Sequence, residues 1–368
     1  MLQALVALLP ALAAAGTGDF PITWAGDKYE LEELPETLAA NARETAKTWA
    51  PWAEEVGYRM DFSADGRVLL MTFDDSRGRR KSEKNMELIE EVLKRVDALL
   101  PLPPSRTVEA STPKPDDGSY EWGRVERETQ TAVLIEADEE EHHEAAVDFA
   151  AGLNSYLGTW AAAAKPMTGF VLEQPLAAEW QPKAGIKEDW EGKPVNEMVN
   201  RLSQLMTLRR FGRQPYWLSM GIAWHVEMEQ LDGVYCFPYR HGFVSSSEHD
   251  KWDKALRNEY KHREGPVAMS ELTALQRGTF DPWAAKKSWA AVTLLARHYP
   301  EALPEICEDL YELWDEQGRE THADGTWTRI DGFEPSDADQ LAVFEKHVPG
   351  FATELQRFFT EGKDYEKP

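Results

Sequence analysis

Apolar positions along this chain follow two regimes. Up to about residue 175 they alternate between short strand-like runs and helical stripes; beyond residue 231 they recur mainly at three- and four-residue spacing, the period of a half-buried helix. Residues 16–35 read as irregular, and residues 35–55 as a helix carrying Trp49 and Trp52. Tyr58-Arg59-Met60-Asp61-Phe62 and residues 67–73 flank Ser63-Ala64-Asp65-Gly66, whose Asp-Gly pair suits a hairpin. A basic stretch at 76–84 reads as a solvated cap on a helix over 82–100, with an anion site as the functional alternative. Pro101, Pro103 and Pro104 stop that helix. Residues 111–130 form an exposed excursion. A strand over 131–137, a helix over 138–153 and a strand over 169–174 follow, then a surface loop over 175–194 rich in Trp and charge. His142 and His143, adjacent in an acidic run, cannot face one site on a helix and read as a solvated face rather than metal ligands. The helical tail predicts elements near 251–260, 269–276, 282–298, 304–317, 336–345 and 351–360, with Ser336 as a good N-cap.

Residues 195–229 organise the rest. Val195, Met198, Val199, Leu202, Leu205 and Met206 make one apolar stripe, and Asn196 and Asn200 share an adjacent face of the same helix. Two side chains four apart can converge on one atom, which is how the histidines of H-E-x-x-H hold zinc around a Glu acting as general base. Here that frame reads Asn196-Glu197-Met198-Val199-Asn200. After a basic turn comes a second helix that opens Pro215-Tyr216-Trp217-Leu218-Ser219-Met220-Gly221-Ile222-Ala223.

The second segment resembles the P-x-W-L-x-E-G-x-A stretch of the gluzincin metallopeptidases, in particular the peptidase MA-like group of bacterial proteins. The resemblance implies that Asn196, Asn200 and Met220 stand at the three zinc-ligand positions and Glu197 at the position of the general base. Zinc takes imidazole, thiolate or carboxylate donors, so neutral amides and a thioether should not hold it. Without a metal-bound water, Glu197 has no evident task in that mechanism. The implied fold is α+β and zincin-like: a small mixed β-sheet with helices, a two-helix degenerate motif core and a C-terminal helical subdomain. The expected divisions are a signal peptide at 1–15, a helical and hairpin region at 16–65, an α/β subdomain at 66–194, the degenerate motif helices at 195–230 and a helical subdomain at 231–368. No cofactor is expected, zinc included. Trp180, Trp190, Trp217 and His225 are candidates for lining an inherited substrate groove, although His225 points about 140° from Met220 on its helix and reads more simply as a core or rim histidine.

Composition narrows the partners. Sixty-five acidic against forty basic residues leave a net charge of −25, which argues against phosphate backbones and anionic membranes and suits a soluble acidic surface, a saline setting or a cationic partner. The run MLQALVALLPALAAA has the h-region and small-residue end of a signal peptide, so export to the periplasm, envelope or medium is expected. No later stretch approaches a membrane span. Cys236 and Cys307 leave pairing open. Fourteen Trp suggest sugar stacking, yet most fall in predicted helices, where core packing is the simpler role. Three functions remain: a pseudopeptidase binding a peptide or protein in its groove, a hydrolase with a rebuilt site, and a structural or assembly component of the envelope.

Overall fold

A computed structural model describes residues 21–74, 76–101, 128–137, 139–154, 157–167, 169–181, 194–237, 249–277, 281–323, 327–330 and 332–367. The expected signal peptide, residues 111–127 of the expected excursion, and Trp190 lie outside these. The architecture is mixed: a seven-stranded sheet with helices on both faces, continuing into a helical half. The strands are β1 (Ile22–Trp24), β2 (Asp27–Tyr29), β3 (Tyr58–Phe62), β4 (Val68–Phe73), β5 (Ala132–Glu136), β6 (Gly169–Leu172) and β7 (Ala177–Trp180), in spatial order β2-β1-β3-β4-β5-β7-β6. Pairings β1/β3, β4/β5 and β5/β7 are parallel; β1/β2, β3/β4 and β6/β7 are antiparallel.

The central strands read as continuous apolar runs because both sheet faces are covered. Val68, Leu70, Ala132, Leu134, Ala178 and Trp180 join one buried cluster with α2 (Ser76–Leu99), α5 (Pro194–Phe211) and α6 (Tyr216–Leu231). Leu69, Met71, Val133, Ile135 and Ala177 join the other with α1 (Ala40–Val56), α3 (Glu140–Leu153) and α4 (Gly158–Ala164). Period two along each strand sorts these residues between the layers.

The first cluster runs without a break past residue 231 into α7 (Trp252–Tyr260), α8 (Ser270–Thr273), α9 (Pro282–His298), α10 (Ala302–Gln317), α11 (Asp337–His347) and α12 (Phe351–Glu361). Ser336 caps α11 as its sequence suggested, its Oγ accepting from Asp339 N. A small hairpin, β8 (Arg319–Thr321) with β9 (Trp327–Arg329), lies between α10 and α11.

Four expectations need correction. Residues 22–29, read as irregular, form the paired strands β1 and β2 at one side of the sheet. The basic stretch at 76–84 is no loop: α2 begins at Ser76, and its first turns are tied to the sheet by Ser82 Oγ donating to Asp61 (2.5 Å) and Lys81 pairing with the buried Glu136. Residues 175–181 include a strand, β7, inserted between β5 and β6; its sequence Ala-Ala-Glu-Trp lacks the β-branched residues that announce a strand. His143 is not on a solvated face. It is 1% exposed; Nδ1 lies 2.6 Å from Glu179 Oε2, and Nε2 lies 3.2 Å from the carbonyl oxygens of Ala164 and Lys165. All three partners are acceptors, so both ring nitrogens carry protons and the pair is an ion pair. Burial opposes the charge on His143, but Glu179 and the carbonyls outweigh it and raise the imidazole above its ordinary value.

Candidate functional site

Helices α5 and α6 form a hairpin across a four-residue turn, residues 212–215, with Pro215 at the N-cap of α6. α5 lies over β5, β6 and β7. An antiparallel hairpin brings together positions equally far from its turn. Asn200 lies eleven residues before the end of α5, and Glu227 lies eleven residues after the start of α6. They meet: Asn200 Nδ2 donates to Glu227 Oε2 at 3.1 Å. Asn196, one turn earlier, donates through Nδ2 to Glu227 Oε1 (2.7 Å) and to the Gly233 carbonyl (2.7 Å). The chain beyond α6 folds back so that the backbone N–H groups of Tyr235 (2.5 Å) and Cys236 (3.1 Å) also donate to Glu227 Oε1.

Glu227 is therefore a fully buried carboxyl group with two side-chain amides and two backbone amides around it. Burial pushes its carboxyl up to about 8, against the pull of those four donors. Asn200 is committed on its other side as well, since Oδ1 accepts from Gln204 Nε2 at 2.7 Å. Glu197 takes the neighbouring position: its Oε2 accepts from the Cys236 thiol at 3.0 Å and lies 3.7 Å from Arg201 Nε. Burial raises the Glu197 carboxyl, with Arg201 and the thiol pulling down. Burial and the Glu197 charge together push the Cys236 thiol well above its ordinary range, so it is not a thiolate nucleophile. Cys236 and Cys307 are both free and buried.

Asn196 and Asn200 thus converge on one group, as their spacing implies, and that group is a side chain of the protein. Met220 is elsewhere. Only four residues into α6, it is level with Thr207 of α5, two turns along the helix from Glu227, and belongs to the apolar cluster. The spacing of twenty between Asn200 and Met220 would need a hairpin turning near residue 210, which is inside α5. Of the groove candidates, Trp180 is a core residue of β7 and Trp217 is buried, its Nε1 donating to Gln340 Oε1 at 2.8 Å. His225 is buried with Nδ1 3.0 Å from Thr293 Oγ1, and desolvation takes it down to about 4. None of these three lines a groove.

The donor set does not suit zinc. Both asparagines present amide N–H groups to a carboxylate, so they face the shared point as donors and offer it no lone pair. Among the described residues no three His, Cys, Asp or Glu side chains gather as a metal-holding group, and no helix is long and apolar enough to cross a membrane. No protein-family model, curated protein or solved structure matches the chain.

Of the residues that build this cluster, Gln204 carried no sequence signal, Cys236 was read only for pairing, and Glu227 was not placed opposite Asn200. The signal for Glu227 was available: once a helix hairpin with a turn at 212–215 is assumed, the position opposite Asn200 follows by counting.

Proposed function

We propose that this protein is an exported, non-catalytic relative of the zinc peptidases that binds a peptide or protein and does not cut it. One observation carries the reading: the Glu227 carboxylate occupies the point on which Asn196 and Asn200 converge, held there by four N–H donors. In a zincin of the expected kind that point belongs to the metal and its water. Here a side chain of the protein fills it, with Asn196, Asn200 and Glu227 each no more than 2% exposed, so no scissile bond has access to it. Glu197, the base position, is hydrogen-bonded to a thiol that holds its own proton. A helix hairpin packed on a mixed sheet and followed by a helical half is the scaffold that such a history would leave.

The test is metal analysis of the purified full-length protein together with a peptide-library cleavage assay, with and without chelator. The expected result is no stoichiometric zinc, no chelator-sensitive cleavage and measurable peptide binding. Zinc at one equivalent with cleavage lost on Glu197→Gln would overturn the reading.

A further inference from the structure

The helical half encloses a cleft of about 210 Å³ between the end of α6, α7, α9 and α12. Its apolar walls are Met228, Trp252, Leu256, Phe358 and Phe359. Three donor side chains join them: Lys251, Arg297 and Trp289. Trp289 is 7% exposed and its Nε1 has no acceptor, a costly state for a buried donor. Arg297 directs one N–H to Glu229 (2.7 Å), and its side chain is half exposed, which leaves guanidinium donors for another partner. Lys251 is largely exposed and has only a loose pairing, 3.7 Å, with Asp250. The walls therefore carry two cations, Lys251 and Arg297, beside the acid Asp253. The field of Arg297, together with Lys367, is felt by the adjacent His298, which desolvation and these two cations hold below its ordinary value.

The volume is smaller than the roughly 300–1,000 Å³ that encloses a drug-sized ligand, and suits one large apolar side chain. We propose that the cleft captures the C-terminal residue of a peptide, its apolar side chain among the aromatic walls and its α-carboxylate at Arg297 and Lys251. This rests on the peptide-binding reading above and supplies the site that reading lacks, because the Glu227 position is closed. The cleft is also joined to that position. Trp289 meets Trp252 edge to face at 5.8 Å, Trp252 meets Trp224 likewise at 5.8 Å, and Trp224 Nε1 donates to the Cys236 carbonyl at 2.8 Å, next to the amide that holds Glu227.

The experiment is calorimetric titration of the full-length protein with N-acetyl-Ala-Ala-Phe as the free acid and as the C-terminal amide. The acid should bind, and the amide should bind at least about tenfold more weakly, the scale of one charge-assisted hydrogen bond. Arg297→Gln should weaken the acid by a similar factor. Met228→Trp, which fills the cleft from a partly exposed wall position, should abolish binding while leaving the melting temperature near that of the unaltered protein. Should Met228→Trp unfold the chain, the acid/amide ratio and Arg297→Gln still decide. Equal binding of acid and amide, or no binding of either, overturns the assignment. Equal binding leaves a peptide-binding protein with a different site, whereas zinc-dependent cleavage overturns the underlying reading whatever the cleft does.

Discussion

Glu227 shows how one side chain can close a site. Replacing it by Ala strands two Asn amides and two backbone N–H groups in a buried setting, each unsatisfied donor costing about 1–3 kcal/mol. The expected loss in denaturant-measured stability is more than about 3 kcal/mol; a change below about 1 kcal/mol would mean the network contributes little. The buried pair of His143 with Glu179 sets a pH dependence. Because the folded imidazole titrates above its unfolded value of about 6.5, its stabilisation is fully present below that value and is lost as pH rises through the higher folded one. Urea midpoints should therefore fall on the alkaline side, and Glu179→Gln should lower the midpoint at pH 6 and flatten that dependence, because the buried imidazole then gives up its proton. A midpoint indifferent to that substitution at pH 6 would contradict the ion pair.

At the scale of elements, the α5/α6 hairpin explains what the sequence could and could not reveal. The helical tail was legible because its apolar residues keep one period over many turns, and the Asp-Gly hairpin because its turn chemistry is local. β7 was not, since Ala177, Ala178, Glu179 and Trp180 carry no strand signature and owe their conformation to the slot between β5 and β6. The site was half legible: a spacing of four brought Asn196 and Asn200 together, while the third partner depended on where α5 ends. The hairpin makes a prediction of its own. With Asn196→His and Asn200→His, native Glu227 completes a His/His/Glu set of the kind zinc accepts, so the double variant should bind zinc on dialysis and gain melting temperature with it. Adding Met220→Glu should contribute nothing, and zinc binding that required it would show that Met220, not Glu227, is opposite the asparagines. Gly221 serves a different purpose in the same helix. A Cβ there would lie 2.7 Å from the Ser288 carbonyl of α9, so Gly221→Ala should destabilise by about 1–3 kcal/mol through overpacking, with no change in metal content.

For the whole molecule, the excess of acid is the dominant long-range term. Sixty-five carboxylates against forty cations repel one another across the fold. Raising ionic strength from about 0.01 M to about 0.15 M shortens the screening length from about 30 Å to about 8 Å, so the melting temperature should rise with added sodium chloride. A fall would mean that local ion pairs such as Arg67 with Asp97 outweigh the global repulsion. One last property follows from the three indoles that link the cleft to the buried carboxylate. Trp289, Trp252 and Trp224 stand at successive 5.8 Å spacings with ring planes 89° and 77° apart, close enough to pass excitation energy from one to the next. A ligand that perturbs Trp289 should therefore alter the emission of its neighbours as well, which a fluorescence titration of the full-length protein would read.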